Sequence, residues 1–136
     1  MKRELTLPAI VENIETATDF VNEYLEEVGA PMKTQMQIAV VIDEIFSNIA
    51  YYAYVLSEGD VTVGVGFDEE THTIVLSFAD SGMKYNPLQK DDPDVTLSVE
   101  ERQIGGMGIF MVKKLMDKVS YEYVEGRNVL TLWKNI

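Results

Sequence analysis

Two polar residues, Glu44 and Asn48, lie four positions apart within the apolar segment VVIDEIFSNIAYYAY. On a helix this spacing places both side chains at the same border of the apolar stripe, one turn apart. An Asn side chain offers Mg²⁺ a neutral oxygen, and a Glu carboxylate can accept a proton from an attacking hydroxyl or water. The pair is therefore a candidate metal ligand and general base, while an ordinary polar helix border is the alternative.

A second polar group, Asp80-Ser81-Gly82, directly follows the apolar segment TIVLSFA. A carboxylate at the end of a strand can accept a hydrogen bond from an exocyclic amine such as that of adenine. Gly82 would let the chain turn away with no side chain in the way. A plain turn has the same composition, so the pattern is also compatible with a purely structural role.

Four residues form the third group, Gly105-Gly106-Met107-Gly108, which precedes the amphipathic segment IFMVKKLM. Glycines allow backbone N–H groups to face a phosphate, and a helix N-terminus adds a favourable partial charge. The pattern is neither a Rossmann fingerprint nor a P-loop, and a flexible hinge is the alternative. Taken together and in this order, the three groups predict the binding of one nucleotide.

Hydrophobic periodicity predicts the elements that must position these groups. The predicted helices are 9–28, 32–54 and 107–117, and the predicted strands are 3–7 (an edge strand), 61–67, 72–79, 119–123 and 128–134. Their order predicts an α+β two-layer sandwich, in which a mostly antiparallel sheet carries helices on one face. The apolar stripe of the first helix begins at Ile10. The stripe of the second consists of Ile38, Val41, Ile42, Ile45, Ile49 and Tyr52.

The whole chain, residues 1–136, is predicted to form a single domain. Residues 83–103 lack periodicity, and a loop of this length is typical of a lid over a binding site. Within it, Ser98 followed by Glu101 forms a capping-box pattern, which predicts a short helix near 98–103.

The formal net charge of −12 argues against nucleic acid as a partner, because phosphate backbones require clustered Lys and Arg. Bound phosphates would then be met by backbone N–H groups, a metal ion and a few local basic residues. No apolar stretch is long enough to cross a membrane, and the N-terminus lacks the apolar core of a signal peptide. We therefore predict a cytoplasmic location with no membrane partner. The chain has no Cys, which excludes thiolate chemistry.

The three groups resemble the boxes of the GHKL (Bergerat-fold) ATP-binding superfamily. E-I-F-S-N resembles the N box, D-S-G the first glycine box and G-G-M-G the second, and the resemblance extends over about residues 9–134. Two longer segments, D-S-G-M-K-Y-N-P-L and G-G-M-G-I-F-M-V-K-K-L-M-D, are similar to segments of the small stand-alone anti-sigma-factor serine/threonine kinases.

This resemblance implies that the chain uses ATP with Mg²⁺ and transfers the γ-phosphate to a Ser or Thr of an anti-sigma antagonist protein. It implies that Glu44 is the catalytic base and that Asn48 binds the metal ion. The ATP-binding residues that it implies are Asn48, Asp80, Gly82, Arg102, Gly105, Gly106, Met107 and Gly108. A sigma factor as a further partner and a homodimer are also implied.

The chain departs from the pattern of this family at one position and in one segment. Tyr52 stands where many members have His, and the first-helix segment ENIETATD lacks the basic residue with which the sporulation-type members bind sigma. Two alternative functions therefore stay open. One is a protein-binding module that ATP switches with little phosphoryl transfer, and the other is a weak ATPase with water as the acceptor.

Overall fold

The computed structural model describes residues 2–54, 58–89 and 106–136. Within these ranges, strands and helices follow each other in the predicted order. Their bounds are β1 Lys2–Pro8, α1 Ile14–Glu27, α2 Met32–Asn48, β2 Asp60–Asp68, β3 Thr73–Asp80, α3 Gly106–Leu115, β4 Lys118–Val124 and β5 Arg127–Asn135. Short 3₁₀ turns at Val11–Asn13 and Pro87–Gln89 and a π-helical turn at Ile49–Ala53 complete the described elements.

The strands form one sheet in the order β1-β2-β3-β5-β4, in which every neighbouring pair is antiparallel. β1 lies at an edge of the sheet, as predicted for residues 3–7. Phe78 lies opposite Val63 on one side and Leu130 on the other, so the apolar side chains of the three central strands share one face. The helices pack on this face, which confirms the predicted α+β sandwich.

The core lies between this face of the sheet and the helices, because the buried apolar residues alternate along β2, β3 and β5 and recur at every third or fourth position of the helices. α2 contributes the largest helical share, with Ile38, Val41, Ile42, Ile45 and Phe46 buried. α1 adds Ala17, Val21 and Leu25, and α3 adds Ile109 and Val112. The site described below therefore borders a continuous apolar core.

The first helix is shorter than the predicted span 9–28. The 3₁₀ turn precedes α1, and the Asn13 side chain donates a hydrogen bond to the Pro8 carbonyl at 2.9 Å, which closes the turn after β1. Ile10 therefore lies outside the helix and is 47% exposed, so its predicted place in the core stripe is wrong. At the other end, Gly29 follows the helix with a φ of 79°, a conformation that glycine adopts without strain.

The second helix departs from α-helical winding after Asn48, although the sequence predicts one helix to residue 54. Residues Ile49–Ala53 form a π-helical turn, which has more residues per turn than an α-helix. The side-chain directions expected for an α-helix, with about 100° between residues, therefore do not apply beyond Asn48. Tyr52, predicted to lie in the core, is 51% exposed.

The loop predicted as a lid, residues 83–103, is described only as far as residue 89. The helix predicted near 98–103 lies outside the described residues, and the lid and the single-domain organisation stay predictions. None of the helices in the described ranges is long and apolar enough to cross a membrane.

We expect Phe46→Ala to destabilise the fold strongly, because Phe46 is one of the largest fully buried side chains of the core. A large-to-small change of this kind costs about 3–5 kcal/mol. Val40→Ala is the matched control, since Val40 is exposed on the same helix and its loss costs within about 0.5 kcal/mol. Urea denaturation measures the free energy of unfolding of both variants, and equal midpoints would contradict the burial of Phe46 in the core.

Candidate functional site

A cavity of about 460 Å³ opens beside the core, between the end of α2, the π-helical turn, α3 and the ends of β3, β4 and β5. Its wall is mainly apolar, and three polar side chains converge on it: Asn48, Asp80 and Asn128. Its apolar wall includes Ile45, Ile49, Phe78, Ile109, Tyr121 and Leu130. A mostly apolar cavity with a few convergent polar groups is typical of a small-molecule site.

Asp80 is the last residue of β3 and is only 5% exposed. Its Oδ1 atom accepts hydrogen bonds from the Gly82 N–H at 2.9 Å and from Asn128 Nδ2 at 3.0 Å. Its Oδ2 atom accepts no hydrogen bond from the described part of the chain. The carboxylate can thus offer one oxygen to a ligand amine while the protein holds the other.

Gly82 is required by the close approach of the loop after β3 to the π-helical turn. The Met83 N–H donates to the Ala53 carbonyl at 2.9 Å, and the Ser81 N–H donates to the Tyr54 hydroxyl at 2.8 Å. A Cβ atom added at Gly82 would overlap the backbone carbonyl of Ala53. The glycine therefore lets two backbone segments touch, beside the cavity wall.

Two phenols near the site are held in their neutral form. Burial raises the pKa of Tyr54 and of Tyr121 above the ordinary value, so both hydroxyls keep their protons at neutral pH. Tyr54 donates to the Asp60 carbonyl at 2.7 Å, and Tyr121 donates to Asn128 Oδ1 at 2.5 Å. Both tyrosines thus act as fixed donors that join neighbouring segments.

Glu44 and Asn48 are both half-buried at the border of the α2 core stripe, as the sequence predicts. Asn48 lines the cavity, whereas Glu44 does not. The Glu44 carboxylate instead lies against α3, so close that a Cβ atom added at Gly108 would overlap it. The structure therefore brings Glu44 together with the glycine segment, and Asn48 together with Asp80.

The residues Gly106, Met107 and Gly108 form the first turn of α3. The backbone N–H groups of a first helical turn have no partner within their own helix, and this end of the helix dipole favours anions. The next residue, Ile109, lines the cavity. The turn therefore lies beside both the cavity and the Glu44 carboxylate. Gly105 and Arg102 lie outside the described residues, so their predicted roles stay predictions.

Asn128, a polar residue near the start of β5, lines the cavity although none of the three polar groups of the sequence contains it. Its spacing was a usable signal, because it shares the inward face of its strand with Leu130 and Leu132. A polar side chain at an inward strand position needs hydrogen-bond partners when it is buried. Asn128 is buried, and its partners belong to three other segments of the chain.

A metal ion would find few protein ligands in this site. Among the described residues, no group of three or more His, Cys, Asp or Glu is arranged to hold a metal ion. Mg²⁺ commonly needs only one or two protein oxygens, since phosphates and water complete its coordination. The half-buried Asn48 amide at the cavity wall fits this kind of site, in which a bound nucleotide supplies the other ligands.

Proteins related to this chain are named as kinases. The serine/threonine-protein kinase BtrW of Bordetella bronchiseptica is 26% identical over 121 residues, which cover 86% of this chain and 84% of that protein. The serine-protein kinase RsbW of Bacillus mycoides is 26% identical over 133 residues, which cover 95% of this chain and 82% of that protein.

A similar fold occurs in the crystal structure of the RsbU and RsbW domains of a Mycobacterium tuberculosis protein, with a TM-score of 0.69 at 20% identity. The match covers 99% of this chain and 32% of that one. The model of the histidine kinase-like ATPase domain matches residues 7–134, nearly the entire sequence. With this match, and with the sheet, the helices and the cavity in place, the chain belongs to the histidine kinase-like ATPase domain family.

Proposed function

We propose that the chain is an ATP-dependent protein serine/threonine kinase of the anti-sigma regulatory type. It transfers the γ-phosphate of ATP to a Ser or Thr of an anti-sigma antagonist protein. The observation that carries the proposal is the contact between the Glu44 carboxylate and Gly108. This contact places a potential base against the helix N-terminus that would hold phosphates, whereas a protein that only binds ATP needs no base there.

The cavity suits the adenine base of the nucleotide. Its apolar wall would cover the ring, and Asp80 Oδ2 would accept a hydrogen bond from the exocyclic amine. The phosphates would lie toward the first turn of α3, where the N–H groups of Gly106, Met107 and Gly108 favour anions. Gly105 and Arg102 would extend this phosphate site from the preceding segment. Asn48 would hold Mg²⁺.

The transfer itself requires little covalent chemistry from the protein. The oxygen of the acceptor hydroxyl forms a bond to the γ-phosphorus, and the bond from that phosphorus to the bridging oxygen breaks, releasing ADP. The hydroxyl proton passes to the Glu44 carboxylate. When bound, Mg²⁺ supplies neutralisation of the charge on the phosphate oxygens. The contribution of the chain is mainly position, because one helix carries both Glu44 and Asn48.

The partners form part of the same proposal. An antagonist protein is the phosphate acceptor, a sigma factor is a second partner, and the location is the cytoplasm. The α1 side chains of Glu15 and Asp19, with Glu12 just before them, are exposed, so a sigma factor would have to present a basic surface there. The outer edge of β1 is unpaired within the described sheet and offers the contact for a homodimer.

Asp80→Asn tests the adenine site with little disturbance of the fold. An Asn at this position keeps an oxygen to accept from Gly82 and Asn128, and it replaces Oδ2 by an amide donor. We expect roughly 10-fold to 100-fold weaker ATP binding, since a hydrogen bond to a charged group contributes about 1.5–3 kcal/mol. Calorimetry measures the affinity, with the exposed Asp43→Asn as control. A wild-type protein that binds no ATP would refute the proposed function.

Glu44→Gln and Asn48→Ala should separate binding from transfer. We expect Glu44→Gln to keep ATP affinity and to lose transfer by about 10²–10⁴-fold, because a general base contributes about this much. Asn48→Ala should lose metal-dependent binding and transfer together. ATP calorimetry and phosphorylation of the antagonist protein measure the two effects. A Glu44→Gln protein that transfers phosphate at the wild-type rate would exclude this mechanism and favour the ATP-switched binding module.

Gly108→Ala tests the contact between α3 and Glu44. The new methyl group meets the end of a flexible side chain, so we expect nearly unchanged stability but a displaced carboxylate and slower transfer. The matched control is the same substitution in a Glu44→Gln background, where it should cost little more, because residues in contact are not additive. An equal loss of transfer in both backgrounds would show that Gly108 does not act through Glu44.

A further inference from the structure

We propose that Asn128 is a positioning residue that orients the Asp80 carboxylate and anchors the loop after β3, and that it thereby sets the preference of the cavity for adenine. The inference rests on the proposed function, because it names the residue that shapes the base-recognition end of the same site. Asn128 lines the cavity but acts through its neighbours rather than on the nucleotide.

All the hydrogen-bonding capacity of the Asn128 side chain is used within the protein. Its Nδ2 donates to Asp80 Oδ1 at 3.0 Å and to the Met83 carbonyl at 2.9 Å. Its Oδ1 accepts from the Tyr85 N–H at 3.0 Å and from the Tyr121 hydroxyl at 2.5 Å. A side-chain amide has two donors and two acceptor lone pairs, so none is left for a ligand.

The bond from Asn128 determines which Asp80 oxygen faces the ligand. Two N–H groups, from Asn128 and Gly82, converge on Oδ1 and hold the plane of the carboxylate. This leaves Oδ2 for a ligand donor. Without Asn128, the buried carboxylate of Asp80 would lose one of its two compensating donors, and its plane would be free to rotate.

The same side chain fixes the loop that forms one wall of the cavity. Met83 is held on both sides of its backbone, since its N–H donates to the Ala53 carbonyl and its own carbonyl accepts from Asn128. Tyr85 is tied to Asn128 through its N–H. Because Met83 and Tyr85 both line the cavity, Asn128 shapes this wall before any nucleotide binds.

Base preference distinguishes this role from a merely structural one. We expect Asn128→Ala to weaken ATP binding roughly 10-fold or more, since it removes a hydrogen bond to a charged group. GTP binding should change much less, because guanine presents a carbonyl where adenine has its amine. The ratio of GTP to ATP dissociation constants should therefore fall. Asn135→Ala is the matched control, because Asn135 lies on the same strand, is exposed, and accepts from Thr73 far from the cavity.

Asn128→Asp gives a pH signature of the same role. Like charges raise the pKa values of a carboxylate pair, so at low pH the two residues would share a proton that replaces the lost amide donor. Relative to the wild type, the ATP affinity of this variant should thus be highest at acidic pH and should fall as the pH rises. The ionisable side chains that interact with Asp80 are Tyr54 and Tyr121. Asp60 and Arg127 interact in turn with Tyr54, and Tyr123 interacts with Tyr121; the Asn135→Asp control retains all of them.

Amide hydrogen exchange in the nucleotide-free protein tests the positioning without relying on ATP. The Gly82 and Tyr85 N–H groups should exchange faster in Asn128→Ala than in the wild type, and the Met83 N–H should follow. Should both Asn128 variants fail to fold, Tyr121→Phe serves instead, since it removes only the hydroxyl bond to Asn128. Tyr121→Phe should lower the ATP affinity and the GTP-to-ATP ratio of dissociation constants, as Asn128→Ala does, but by a smaller factor.

The outcomes separate this inference from the function on which it rests. A wild type that binds no ATP refutes the proposed function, and the exchange rates of Gly82 and Tyr85 then decide the positioning role. A wild type that binds ATP, with base preference unchanged in Asn128→Ala or in Tyr121→Phe, overturns the inference and leaves the kinase in place. Reduced stability with an unchanged GTP-to-ATP ratio would also overturn it, because that is the result of a structural role alone.

Discussion

A carboxylate buried at the end of a central strand is the constraint on which the rest of this site depends. Removing a charge from water is costly unless hydrogen bonds replace the lost solvent, and Asp80 receives two of them from Gly82 and Asn128. The first requires a tight turn directly after β3, and the second requires an amide at an inward position of β5. The loop between residues 81 and 85 is then held against both the sheet and the end of the second helix.

The second helix connects this site to the core. One side of α2 is buried through Ile38, Ile42 and Phe46, which fixes the rotation of the helix against the sheet. That rotation leaves Glu44 and Asn48 half-buried at the border of the apolar stripe, where both side chains lie next to the site. The π-helical turn that follows brings the Ala53 carbonyl and the Tyr54 hydroxyl to the loop after β3. The second helix therefore contributes both to the stability of the core and to the geometry of the site.

Two ends of the site have different physical characters. The cavity end is mainly apolar, and it suits the recognition of a flat base by shape and by one directed oxygen. The α3 end offers backbone N–H groups, which suit the binding of phosphates. The Glu44 carboxylate lies against the first turn of this helix, where it could accept a proton. In the proposed function, a chain with a net charge of −12 would accommodate a polyanion through backbone dipoles rather than through excess basic residues.

Local pattern determined the order of the elements, the fold class and the three polar groups, because hydrophobic periodicity and glycine preferences act over a few neighbouring residues. Tertiary structure alone decided what these groups touch. Tyr52 is exposed because it lies in the π-helical turn, and Ile10 lies outside the first helix. The Glu44 carboxylate contacts Gly108, and Asn128 donates a hydrogen bond to Asp80, which is 48 positions away in the sequence. Such pairings depend on strand register and helix packing across the core, and no local pattern contains that information.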